Sequence, residues 1–71
     1  MRIPNQVLIV AKPGAEPRLE GVFIRNVFHA PDEVPPEILA EAEWLADDIG
    51  ERKPADVSRL DGETLLFYDL P

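Results

Sequence analysis

Residues 34–50 read VPPEILAEAEWLADDIG, and this stretch carries the clearest structural signal in the chain. Proline is tolerated in the first turn of a helix, because its missing N–H would have no partner there. The apolar side chains that share one face at helical spacing are Ile38, Ala42, Leu45 and Ile49. The sequence therefore predicts a helix from about Pro36 to Ile49, with Gly50 as a left-handed C-terminal cap.

Extended segments are predicted on both sides of this helix. The β-branched run at residues 6–12 and the aromatic-rich run at residues 21–28 predict two strands joined by a wide loop. Residues 64–70 predict a third strand, which follows an Asp-Gly turn signal. The intervening residues 55–60 are compatible with a turn or two of helix or with a short edge strand.

These elements predict a small α+β domain with an antiparallel three-stranded sheet and one main helix packed on it. The expected order is β-β-α-β, with an extra short helix before the last strand as an option. Seventy-one residues make a single domain, 1–71, near the lower limit for a self-sufficient core. The chain contains no cysteine, so a disulfide cannot reinforce that core.

Charge is distributed very unevenly along the chain. Between Asp32 and Glu51 there are eight carboxylates and no lysine or arginine, and the whole chain has a net charge of −7. Binding to nucleic-acid phosphates or to an anionic membrane needs basic side chains. We therefore expect no direct nucleic-acid or membrane partner, and instead a basic surface on a protein target.

The polar side of the predicted helix is the candidate partner-binding surface. Its residues are Glu37, Glu41, Trp44, Asp47, Asp48 and Glu51. Six carboxylates fall along roughly 21 Å of helix between residues 37 and 51, about one per 3.5 Å, close to the ~3.4 Å between phosphates of one B-DNA strand. Such a helix could occupy a basic groove built for nucleic acid.

Trp44 has two interpretations that the sequence leaves open. Tryptophan is enriched at interface hot spots, so an indole among carboxylates is a candidate anchor for a partner. Alternatively, the chain after Gly50 folds back over the ring, and Arg52 and Lys53 neutralise part of the acidic surface. In that case the acidic residues serve only to keep a small protein soluble.

The predicted sheet is apolar on both faces. In the first strand Val7, Ile9 and Ala11 alternate with Leu8 and Val10. The other two strands alternate in the same way, and the pattern places Phe28 on the same face as Val22 and Ile24. One helix covers one face only. The second face is therefore expected to be covered by the loop and tail, by a second copy in a homodimer, or by a partner.

The sequence offers little chemistry for catalysis. Its single histidine, His29, and its single serine, Ser58, would have to supply a Ser-His-Asp arrangement, and nothing around Ser58 resembles a nucleophile elbow. No EF-hand loop, thiolate metal site or phosphate-cradling glycine loop is present. We expect a protein that is not an enzyme, with no catalytic residue, no metal site and no cofactor.

The chain is expected to act in the cytoplasm. Its longest apolar run, from Val7 to Ala11, is too short to span a bilayer, and its first residues lack the apolar core of a signal peptide.

In size, acidity and strand-strand-helix-strand layout, the chain resembles small phage-encoded inhibitors of bacterial defence complexes, of the anti-CRISPR type. The segments in this layout are Val34-Pro35-Pro36 at the helix start and residues 60–63 before the last strand. The resemblance implies an inhibitor that docks its acidic helix on a nucleic-acid-binding surface, and it identifies no binding residue. The alternative is a structural or regulatory module, either a homodimer or an accessory subunit, that uses the apolar sheet face.

Overall fold

The computed structural model describes residues 4–70, which form one helix and five strands. The elements are β1 (Gln6–Ala11), β2 (Arg18–Ile24), β3 (Val27–His29), α1 (Pro36–Asp47), β4 (Asp56–Leu60) and β5 (Glu63–Asp69). The strands form one sheet in the order β3-β2-β1-β5-β4, and every neighbouring pair is antiparallel. Short 3-10 turns precede and follow the helix, at Pro31–Glu33 and Ile49–Glu51.

The α+β class with one helix on an antiparallel sheet is confirmed, but the prediction of three strands is wrong. The segment predicted as one strand at residues 21–28 is a hairpin of β2 and β3. Its two turn residues, Arg25 and Asn26, have φ values of 54° and 65°. Positive φ at both positions is the geometry of the type I′ hairpin turn, for which glycine and asparagine are the usual residues. Arg25 conceals that turn in the sequence.

Residues 56–60 form strand β4, which the prediction of three strands did not include. The edge-strand interpretation of this segment is correct and the helical one is wrong, because β4 pairs with β5 from Asp56 to Leu60. The connecting residues Asp61 and Gly62 have φ values of 51° and 79°, which confirms the predicted turn. All five residues of β4 are exposed, so this strand forms an open edge of the sheet.

The helix ends two residues earlier than predicted, and the expected cap at Gly50 is wrong. Asp48 follows the last helical residue and donates its backbone N–H to the carbonyl of Leu45 at 3.1 Å. The carbonyls of Asp48 and Ile49 then accept from Glu51 and Arg52 in the 3-10 turn. Because this turn pairs the last carbonyls, no left-handed residue is needed, and Gly50 has no positive φ.

The core lies between α1 and one face of the sheet. Strand β1 is central and contributes Val7 and Ile9, which are essentially buried. Ala42 and Leu45 pack against them from the helix, as the apolar stripe predicts, while Ile38 and Ile49 are half-buried at its margins. The other buried members of this core are Val22, Val34, Tyr68 and Leu70.

The opposite face of the sheet has no helix over it within residues 4–70. Leu8 and Val10 point to this face, as predicted, and pair with Phe67 and Leu65 of β5. The predicted face of Phe28 is wrong, because the turn at residues 25–26 reverses the chain and pairs Phe28 with Phe23. Phe28 therefore lies on the face away from the helix.

None of the helices in the described residues is long and apolar enough to cross a bilayer. The expectation about a signal peptide concerns the first residues of the chain, and these lie largely outside the described residues 4–70.

Candidate protein-binding surface

The predicted partner-binding residues lie on the outward side of α1 and in the turn that follows it. Glu37, Glu41, Trp44 and Asp47 are exposed on the helix, opposite the buried positions Ala42 and Leu45. Asp48 is the half-buried residue after the last helical turn, and Glu51 is exposed in the 3-10 turn. The sequence prediction omitted Glu43, which is also exposed and acidic. We call these residues together the acidic helix surface.

Helical spacing explains why the carboxylates surround the indole. Glu41 precedes Trp44 by three residues, while Asp47 and Asp48 follow it by three and four, so all are its neighbours on the helix surface. Ala40, four residues before Trp44, contributes only a methyl group and leaves one side of the ring uncrowded. The result is a large aromatic side chain with one carboxylate before it and two after it along the helix surface.

Trp44 combines features of the two interpretations. Its side chain is 63% exposed, so the indole is not tucked into the core. The chain after Gly50 nevertheless returns toward it, and the guanidinium carbon of Arg52 lies 4.9 Å from the ring centroid. This distance is within the range of a cation–π contact, which contributes about 0.5–1 kcal/mol at an exposed site. Arg52 therefore covers part of the indole and leaves most of it accessible.

Arg52 also accounts for the charge compensation that this surface receives. Its Nε lies 3.7 Å from Oδ2 of Asp48, which makes an ion pair beyond hydrogen-bond distance. Within residues 4–70, no lysine or arginine nitrogen lies within 4.0 Å of a carboxylate oxygen of Glu37, Glu41, Glu43 or Asp47. The same holds for Glu51. Most of the negative charge on the acidic helix surface is thus uncompensated by the described part of the chain.

The helix dipole favours Glu37 in the first turn of α1, but local helix physics gives no such reason for the acids near the helix end. The last turn of α1 contains Asp47 and no basic residue, although the negative end of the helix dipole disfavours a carboxylate there by a few tenths of a kcal/mol. The helix also lacks lysine and arginine for i,i+4 pairs. Residues that oppose local preferences without compensation are frequent at functional surfaces.

The rest of the described chain shows little that resembles a reaction centre. His29 is on β3 and Ser58 is on β4, the two opposite edges of the sheet, so about 19 Å of sheet separates them. No group of three or more metal-ligating side chains converges anywhere in residues 4–70. A shallow open cleft of about 260 Å³ lies beside the helix end, lined by Leu45, Arg52 and Tyr68 among others. Burial raises the pKa of the Tyr68 phenol, because the phenolate would lose its hydration there.

No protein-family model, curated protein or solved structure significantly matches this chain.

The contact between Arg52 and Trp44 gives a first prediction. Arg52→Ala should make the indole more accessible, and acrylamide should therefore quench its fluorescence more strongly. The free energy of unfolding should fall by no more than about 1 kcal/mol, because both the cation–π contact and the ion pair with Asp48 are partly exposed. Arg59→Ala is the matched control, since Arg59 is exposed on the edge strand β4 and makes no ion pair with the acidic helix surface. Equal quenching in the wild type and in Arg52→Ala would show that the guanidinium does not rest on the ring in solution.

Proposed function

We propose that this chain is a protein-binding module that docks its acidic helix surface on a basic surface of a protein target. The observation that carries the proposal is Trp44, an indole 63% exposed among carboxylates of which only Asp48 has a cationic partner in residues 4–70. Charged rings around a large aromatic anchor fit interfaces in which the anchor supplies affinity and the charges supply steering and specificity. The proposed role is binding without catalysis, and it needs no cofactor or metal.

The chemistry of the acidic helix surface selects arginine-rich targets. Carboxylates accept paired hydrogen bonds from guanidinium groups, and an indole face attracts the same cation. Arg52 already occupies part of the Trp44 ring within the chain. A guanidinium of the target would find an equivalent position on the uncovered part of the ring, between Glu41 and Asp47.

The most concrete form of the proposal is an inhibitor of a nucleic-acid-binding protein. The four carboxylates of α1 fall along about 15 Å of helix, about 3.8 Å per charge, which is close to the ~3.4 Å between phosphates on one DNA strand. A groove that binds phosphates would therefore bind this helix and become unavailable to its nucleic acid. This form agrees with the resemblance to anti-CRISPR-type phage inhibitors, and we place its action in the cytoplasm.

Competition with DNA tests this form directly. The tagged chain is used to capture proteins from nuclease-treated bacterial lysate at about 100 mM salt, with and without added duplex DNA. We expect a captured protein that the DNA releases and that Trp44→Ala does not retain. Capture that persists in the presence of DNA would exclude nucleic-acid mimicry. Equal capture by wild type and Trp44→Ala would show that the acidic helix surface is not part of the interface.

A further inference from the structure

We propose that the sheet face opposite the helix is the contact between two copies of this chain. This inference is independent of the acidic helix surface, which lies on the other side of the molecule. We call this face the aromatic face. It consists of Leu8, Val10, Phe23, Phe28, Leu65 and Phe67.

The aromatic face is a formed cluster and not a scatter of exposed apolar residues. The rings of Phe23 and Phe28 meet edge to face at 5.4 Å between centroids, and Phe23 lies 6.0 Å from Phe67. Gly21 makes room for this arrangement, because a Cβ there would lie 2.5 Å from Cε1 of Phe28. Phe28 nevertheless remains 44% exposed. Leu8 and Val10 of this face are buried, and Phe28 is the ring that the cluster leaves open to water. An ordered apolar cluster with an exposed aromatic ring is typical of an interface.

Charge favours a second copy as the occupant. Two of the four carboxylates that border the aromatic face have cationic partners within the chain, and the other two accept hydrogen bonds from neutral donors. Glu63 pairs with Lys12 at 3.9 Å and Glu20 with Arg18 at 3.0 Å. Asp69 accepts from Gln6 at 2.9 Å, and Asp56 accepts from the backbone N–H of Val57 at 2.9 Å. A border with two ion pairs and two uncompensated carboxylates can meet an identical surface across a two-fold axis with less repulsion than the acidic helix surface would.

The same geometry keeps the acidic helices of the two copies apart. Facing sheets pack about 10 Å apart, and each helix lies about another 10 Å behind its own sheet. The two helices are then about 30 Å apart, several times the Debye length of about 8 Å at physiological salt. Association through the helices would instead bring two uncompensated acidic surfaces together. A net charge of −7 on each copy therefore favours the sheet-to-sheet arrangement.

The chain as a whole exposes more surface than a compact monomer of its mass. A compact monomer of 8.0 kDa is expected to expose about 4,450 Å². This chain exposes 5166 Å², an excess of about 700 Å². A standard protein interface buries about 800 Å² on each partner. Burial of the aromatic face would also enlarge the core of a domain whose size allows little net stability.

The three phenylalanines of the chain all lie on the aromatic face, and its single tryptophan lies on the other side. These residues therefore report separately on the two surfaces of the full-length wild type. Sedimentation equilibrium from about 1 µM to about 200 µM brackets a micromolar dissociation constant. We expect the mass to reach twice 8.0 kDa in this range. Over the same range the ¹⁹F resonances of fluorophenylalanine-labelled chain should shift, while Trp44 emission stays constant.

A pair of variants tests the same contact by mutation. Phe28→Lys should raise the dimer dissociation constant about a hundredfold or more, because it replaces an exposed aromatic ring of the contact by a charge. Val57→Lys is the matched control, since Val57 is 49% exposed on the other edge strand and pairs with Leu66, on the helix side of the sheet. The wild-type data decide the outcome even if Phe28→Lys fails to fold. A strict monomer at about 200 µM would overturn the proposal, as would a mass increase with constant ¹⁹F resonances and altered Trp44 emission.

Discussion

Glu41→Lys is expected to weaken binding of the captured target about tenfold or more, and the addition of Asp47→Lys should bring the loss to about a hundredfold or more. The two residues stand three positions before and three positions after Trp44, so both border the exposed indole. Each reversal replaces attraction to a basic surface by repulsion at the point where the anchor enters it. Neither carboxylate has a cationic partner in residues 4–70 that the change would release.

A charge-matched control separates local recognition from overall charge. Glu16→Lys alters the net charge as much as Glu41→Lys does, and Glu16 is exposed in the loop between β1 and β2. We expect Glu16→Lys to leave the affinity within about twofold, because a distant exposed charge is largely screened. Titration calorimetry with the purified target, at low and at physiological salt, measures both variants. Equal losses for Glu41→Lys and Glu16→Lys would mean that only net charge matters and that the helix is not the docking element.

The position of Trp44 was predictable from the sequence, whereas the choice between its two possible environments was not. A spacing of 100° per residue is enough to place Trp44 on the far side of α1 from the centre of the apolar stripe. The contact with Arg52 depends on how the chain leaves the helix, and that exit is a 3-10 turn where the sequence predicted a glycine cap. Within this helix the local pattern gives the buried and exposed faces, but local patterns do not give the path between elements.

The sequence prediction missed two strands, β3 and β4, for a similar physical reason. The hairpin between β2 and β3 turns on Arg25 and Asn26, and a positive φ at arginine costs energy that the cross-strand pair Phe23–Phe28 helps to offset. A tertiary contact therefore overrides a local preference, and a continuous apolar run such as GVFIRNVF conceals it. Strand β4 is exposed throughout, so it has no apolar alternation from which to recognise it.

Leu45→Ala is expected to unfold a large fraction of the protein, whereas Trp44→Ala should leave it folded. Leu45 is 2% exposed at the centre of the core, and truncation of such a leucine costs about 2–5 kcal/mol. A domain of this size rarely has a free energy of unfolding above about 3–5 kcal/mol, so this substitution would remove most of that stability. Urea unfolding followed by circular dichroism, at one fixed chain concentration, measures both variants.

Trp44→Ala is the matched comparison because the two residues are adjacent on the same helix, and Trp44 is exposed whereas Leu45 is buried. The change removes the cation–π contact with Arg52, worth about 0.5–1 kcal/mol, and alanine returns a few tenths of a kcal/mol as the better helix former. The net loss should therefore stay below about 1 kcal/mol. A loss as large as that of Leu45→Ala would identify the indole as a packing residue, and the acidic helix surface would then have no anchor. A small loss together with failure to retain the target would instead separate stability, which depends on Leu45, from binding, which depends on Trp44.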